Sequence, residues 1–267
     1  SNNYSTNATS YTAQASKGVN AAVADINGNI AMAKTSTNAT AGIRESETQG
    51  AAGSGATEDD SDSDPDPAVV INGQLLIEVT GSAIASAGVA TQLVSISGVK
   101  VAANVLTAEL GGTQSAYVDG GTIKAGSIIV RSKFNESSTQ GATATLGSAA
   151  GSVTGTLIGV TANVALAQIT ANASAYVSNA AIVSTGAVTV SNIAKAYAKA
   201  EVGDSDVSAG LVMVGAAVTS AAAGGTFSAF VLNSDIDAAS LTVKNDYRSD
   251  AYASVRQPSV SVNLVST

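Results

Sequence analysis

One stretch of this sequence is written three times. VAANVLTAELGGTQSAYV begins at Val101, VTANVALAQITANASAYV at Val160 and VGAAVTSAAAGGTFSAFV at Val214, and the three align without a gap. A weaker fourth version, INGNIAMAKTSTNATAGI, runs from Ile26 to Ile43, so successive copies start 75, 59 and 54 residues apart. After each of the last three, the chain continues as a variant of xxGxIxAGxIxV, with Ile123, Ile182 and Ile236 each five residues past the closing Val. The related VVINGQLLIEV, Val69 to Val79, follows the first copy. A gap-free period of this length, built of short apolar runs with Gly, Asn, Asp and Ser between them, is the pattern of repeats that bury their apolar faces only against one another.

The third part of each repeat is apolar at every second position, as at Ala194, Ala196, Ala198 and Ala200 and again at Ala251, Ala253 and Val255. Period two is the period of a strand. The expected fold is therefore all-β, a parallel β-helix or β-solenoid over 1–267 as one continuous segment, with repeats of about 54–60 residues. Segments such as GLVMVGAAV are apolar at both parities, which reads as strands covered on both sides and favours wide coils of long, flat strands. A sandwich or barrel is the alternative. Its hairpins would place Asn-Gly or Asp-Gly at equivalent positions, whereas Asn27, Asn72 and Asp119 precede Gly at different points of the repeat. Stacked coils lie about 4.8 Å apart. Tyr117, Tyr176 and Phe230 should then form an aromatic ladder, and Ser115, Ser174 and Ser228 a hydroxyl ladder.

Composition narrows the chemistry. Hydrophobic residues make up 45% of the 267, but aromatic residues only 4% and charged residues 12%. Such a core is built from small side chains in thin layers. There is no Cys and no His, which removes disulfides, thiolate metal sites and the commonest general base. A net charge of −8, with 12 scattered Lys and Arg, opposes nucleic acid as a partner. No apolar run reaches the roughly 20 residues of a membrane span. The sequence opens at Ser1 without a Met and reads as a mature or excised piece.

VDGGTIKAGSIIV, followed by an Ala-alternating strand and then GxxVxANV, resembles the leukotoxin-type repeats of large bacterial filamentous surface proteins and autotransporter adhesins. The likeness runs through nearly the whole chain apart from residues 44–67. It implies a secreted or surface-displayed right-handed β-helix that serves as stalk, filament or adhesin, and it transfers no catalytic residue. Members of that family are usually far longer than this chain. YTAQASKGVNAAV near the start resembles the segment from Tyr197, and PSVSVNLV near the end sits where VSAGLVMV sits one repeat earlier. Both ends thus fall mid-repeat without caps, apart from Pro258. Head-to-tail self-association, or continuation into neighbouring repeats of a longer chain, is the expected partnership.

Three groups of residues are candidate sites. The segment 44–67 interrupts the first repeat and holds eight of the twenty acidic residues, including the comb Asp60, Asp62, Asp64 and Asp66. Alternating carboxylates suit calcium. An EF-hand loop opening at Asp60 would need Gly and Glu where Pro65 and Ile71 stand, so a solvated loop insertion is the stronger reading, with calcium a weak candidate. Sequons occur at Asn3, Asn7, Asn38, Asn135 and Asn172; Asn38 and Asn172 fall at near-equivalent positions, where amides can ladder between coils. Finally, β-helices also carry polysaccharide lyases and hydrolases, which gather carboxylates on one face. Asp204 with Asp206, and Asp235 with Asp237, are the available pairs, and neither has an acid, base or sugar platform beside it in sequence; both suit turns better. A flat Thr array for ice or mineral is not supported, because Thr recurs irregularly. The sequence therefore points away from an enzyme. It points to an extracellular or cell-surface structural and adhesive module without cofactor, facing host or neighbouring-cell glycans or proteins.

Overall fold

The computed structural model describes residues 2–3, 11–14, 18–44, 69–90, 93–136, 141–147, 153–203, 207–256 and 261–266. Every regular element among them is a strand, and no helix is long and apolar enough to cross a membrane. The chain lays β1 (Asn2–Asn3) and β2 (Tyr11–Gln14) in a first sheet and β3 (Gly18–Arg44) in a second. It returns to the first for β4 (Val69–Gly81) and β5 (Ala85–Ala90), then to the second for β6 (Leu93–Asp119). The next pass puts β7 (Thr122–Phe134) and β8 (Ala142–Gly147) in the first sheet, and β9 (Val153–Ile169) and β10 (Asn172–Ser178) in the second. Then β11 (Ala181–Val202) precedes β12 (Val207–Ala223) and β13 (Phe227–Leu232), and β14 (Asp235–Val255) precedes β15 (Ser261–Ser266). The protein is all-β, and each of these strand pairings is parallel.

The pairing register follows the sequence repeat, without a shift along β3, β6, β9 and β12, and with shifts in the first sheet after Ile71 and after Ser184. Ile26 pairs with Val101, Val101 with Val160 and Val160 with Val214. Val69, Ile123, Ile182 and Ile236 form another row. Near the C-terminus Ser208 pairs with Ser261 and Val212 with Val265, two residues away from the alignment of PSVSVNLV on VSAGLVMV that the sequence suggests. At the N-terminus the register differs from the sequence likeness: Tyr11 pairs with Ala87, whose row runs through Ala144 to Ala200 instead of Tyr197. Of the segment 44–67 only Arg44 is described, so the loop insertion and its Asp comb lie outside the described residues.

Two apolar clusters fill the space between the sheets. One is dominated by Ala, including Ala108, Ala144, Ala167 and Ala198 around Leu110 and Ile169. The other holds the larger Ile123, Ile128, Val130, Val177 and Val190. Ala194 to Ala200 face inward at every second position, as their spacing requires. The corner from second to first sheet shows how local sequence serves the stack. Gly120, Asn179 and Asn233 occupy one row there with φ of 82°, 51° and 48°, and their amides bond from one layer to the next, Gly120 to the Ser178 carbonyl and Asn179 to that of Leu232. Left-handed backbone is cheap for Gly and tolerable for Asn, which is why only these two types appear.

Candidate functional site

The expected ladders are present. Tyr117, Tyr176 and Phe230 share a row, with ring centroids 5.4 Å and 5.1 Å apart and planes within 12° and 2° of parallel. Ser115 and Ser174 are 2.9 Å apart hydroxyl to hydroxyl, and Ser228 continues their row. The aromatic row ends differently on its two sides. Below Tyr117 stands Gly42, where a Cβ would come within 2.5 Å of the ring, and the Arg44 guanidinium lies 5.5 Å from the ring centre. Above Tyr176, Phe230 is the last ring of the row among the described residues, and it is exposed. A single Gly therefore makes room for a cation to close one end of the stack.

Beside that closed end, Arg44 Nε sits 3.3 Å from Asp119 Oδ2, while the Ser178 hydroxyl donates to Asp119 Oδ1 at 2.8 Å. Bonds from Ser178 and Asn179 stabilise the ionised form and, with Arg44, hold the Asp119 carboxyl below its ordinary pKa. Burial, followed by the Asp119 charge, raises the Tyr176 phenol. A carboxylate held ionised is suited to an ion pair and unsuited to donating a proton.

Amides make a third ladder, which the sequence analysis does not name. Asn29 Nδ2 donates to Asn104 Oδ1 and Asn104 Nδ2 to Asn163 Oδ1, both at 2.8 Å. The signal was present, since Asn recurs at one column of the gap-free repeat. Asn192 and Asn245 repeat the device at 2.8 Å in the first sheet. Two of the sequons have structural work of their own: Asn38 Oδ1 accepts the Thr113 amide and Asn172 Oδ1 that of Thr226, each at 2.9 Å. Asn135 is buried in left-handed backbone and bonds both the amide and the carbonyl of Ala83, so its side chain is inaccessible in the fold. Asn3 lies in β1, and Asn7 is outside the described residues.

Of the two carboxylate pairs, only Asp235 with Asp237 lies among the described residues. Asp204 and Asp206 lie outside the described residues, as do Asp60, Asp62, Asp64 and Asp66. Asp235 opens β14, while Asp237 is inside that strand instead of in the turn its sequence suggests; both are exposed. Among the described residues no three carboxylates gather into a metal-sized group. The described charges concentrate on the first sheet. Glu78 takes Arg131 Nε at 2.6 Å and lies 3.7 Å from Lys133; Lys195 donates to the Glu136 carbonyl; Glu201 pairs with Lys199 at 2.7 Å and Arg256 at 3.1 Å. The Lys199 hydrogen bond holds the Glu201 carboxyl low, and the same bond raises the Lys199 ammonium. Comparison with protein-family models, curated proteins and solved structures finds no match to the chain.

Proposed function

We propose that the chain is a right-handed β-solenoid of wide coils, one repeat of about 54–60 residues to a coil, serving as a structural and adhesive segment of a secreted bacterial surface protein. The observation that carries this reading is the one-to-one register along whole rows, from Val69 to Ile236 and from Ile26 to Val214. Identical chemistry stacked row on row makes a stiff rod, and rigidity is what a stalk or filament needs. The leukotoxin-type likeness supports the extracellular placement. The main chain at β14, outermost in the first sheet, and at β3, outermost in the second, offers a template for a further coil or for another copy end to end.

Electron microscopy of the native protein tests the rod. Straight particles whose length grows with the number of repeats in the chain support it, and compact globules of the same mass overturn it. A panel of plant and bacterial polysaccharides, offered with and without calcium, tests the adhesive reading against the enzyme. Binding without cleavage is expected; turnover that disappears in Asp235→Asn or Asp204→Asn replaces the proposal with a lyase or hydrolase. Calcium should leave the melting temperature unchanged, and a rise that is lost on deleting residues 46–66 would make the Asp comb a site.

A further inference from the structure

The outward face of the second sheet carries an uncharged apolar area. None of β9, β10, β12, β13 and β15 contains a single Asp, Glu, Lys or Arg, and where β3 and β6 bring Asp25 and Lys100 into the same stretch, Asp25 is buried and Lys100 half-buried, at the parity opposite to Ile26 and Val101. On β9, Ile158 and Val160 are 46% and 39% exposed; on β12, Val214 and Val218 are 43% and 55% exposed. Parity alone does not produce this, since outward positions of the first sheet carry charge. The relief of the face is regular as well. The row of Ile26, Val101, Val160 and Val214 forms a ridge along the stack. Two residues further along, the row of Gly28, Ala103, Ala162 and Ala216 forms a groove, and Ile30, Val105, Val164 and Val218 make a second ridge. Beyond it the face ends at a polar rim, where Lys34 pairs with Glu109 at 2.9 Å and Gln168 follows in the row.

We infer that a second copy of this chain packs on that face, second sheet against second sheet, so that a ridge of each copy seats in the Ala groove of the other. Size and shape support this occupant. From Leu211 to Ser220 the face runs roughly 30 Å along the strands and roughly 19 Å across four of them, taking about 3.3 Å per residue and about 4.8 Å between strands. That covers about 570 Å² on each copy, and the total of about 1,100 Å² clears the roughly 1,000 Å² that a specific interface needs. A flat face of Val, Ile and Ala matches the inner face of a sheet sandwich, where two sheets interdigitate about 10 Å apart. An uncharged centre with a polar rim is the usual anatomy of such a contact. The pairing is lateral, and it is independent of what covers the outermost strands.

Sedimentation of the intact protein over a concentration series tests it, alongside Ala162→Glu in the groove. The wild type should dimerise, and the variant should weaken the dimer by at least about 100-fold, the expected result of burying an unpaired charge at an interface centre. Its melting curve at low concentration should stay close to wild type, because Ala162 is exposed in the single chain. Should Ala162→Glu fail to fold, Ala162→Cys with a short bismaleimide gives an independent reading in a chain that has no cysteine of its own. Cross-linked dimer is expected for Ala162→Cys and none for Thr189→Cys on the first sheet. Three results overturn the inference. One is a monomer at every concentration. Another is an association that ignores Ala162→Glu but vanishes with Thr242→Pro at the β14 edge, which would mean end-to-end stacking alone. The third is a monomer that floats with neutral phosphatidylcholine vesicles, which would give the face to lipid.

Discussion

The two sheets have similar inner faces and opposite outer ones. Inward, both present Ala, Val, Ile and Leu in rows that neighbouring strands continue. Outward, the first sheet carries Glu78, Arg131, Lys133, Lys199 and Glu201 in linked ion pairs, while the second shows Val and Ala without a charge on β9 or β12. Stacking constrains the inner rows of both sheets alike, because every layer must fit the next one. It makes no such demand of the outer rows. Their chemistry is thus free to answer to surroundings, and under the lateral pairing inferred above the first sheet is the wet face and the second the contacting one.

The strongest test of this division uses two alanines. Ala198, on β11, is fully buried in the Ala-rich cluster, whereas Ala162, on β9, is exposed on the outer face. Ala198→Glu should abolish the cooperative melting transition, since an unpaired carboxylate in a close-packed layer costs more than about 4 kcal/mol out of a total of about 5–15. The same substitution at Ala162 should move the melting temperature by no more than a few degrees. Equal losses at both positions, read by circular dichroism, would mean that the second sheet's outer face is covered within the single chain.

Next in size is the half-buried amide ladder of the second sheet. Asn104 donates to Asn163 and accepts from Asn29, so Asn104→Ala leaves two partners without their bonds. A loss of about 1–3 kcal/mol in urea unfolding is expected. Asn163→Ala, which breaks only the bond to Asn104 among those described, should cost about half as much. If the two variants lose equally, the amides act singly and the ladder contributes nothing as a chain.

Much of this architecture was legible in the sequence, and the reason is stacking. Because Tyr117 must sit over Tyr176 and Ile123 over Ile182, a gap-free alignment of repeats is already a list of pairing partners. The same logic gives the Asn29, Asn104 and Asn163 row, whose polar column recurs in the alignment just as the aromatic one does. What could not be read was which apolar face is covered. GLVMVGAAV is apolar at both parities and suggests strands buried on both sides, yet Leu211, Val212, Val214 and Val218 are exposed. Sequence records that a side chain avoids water, and says nothing of whether its cover belongs to the same chain. The sites were harder still, for Asp235 and Asp237 read as one turn but are divided between the start and the body of a strand. The N-terminal offset at Tyr11 has a similar cause, since a short Ala-rich segment aligns equally well in more than one register.

Salt should separate the two outer faces by direction. At 1 M salt the screening length falls to about 3 Å, so the pairs at Glu78 and Glu201 lose attraction while apolar contact between second sheets does not. Sulfate in particular should tighten the lateral dimer several-fold, because excluded salts favour burial of apolar surface. The melting temperature of the monomer should respond by only a few degrees, since ion pairs of this kind are worth about 0–1 kcal/mol each. A dimer that falls apart as salt rises would place charge, not apolar surface, at the joint.

The smallest effect is confined to the first sheet and concerns pH. Glu201 is held below its reference pKa of 4.5 by the Lys199 hydrogen bond, assisted by the charges of Lys199 and Arg256. A carboxyl with a depressed folded pKa stabilises fully above the unfolded value and loses that contribution as pH falls through the folded one. Lys199, raised above its reference of 10.5, behaves in the opposite sense: its contribution is full below that value and is lost as pH rises through the higher folded pKa. The pair therefore supports the fold across the whole neutral range and weakens at both extremes. Glu201→Gln should lower stability at neutral pH by roughly 1 kcal/mol or less and flatten the part of the acid limb below about pH 4.5 that this carboxylate causes. Thermal melts of wild type and Glu201→Gln through the acid range decide it: the two curves should converge as pH falls. Curves that stay parallel would show that Glu201 is exchanging one neutral bond for another, and that the charged face of the first sheet stabilises through geometry instead of charge.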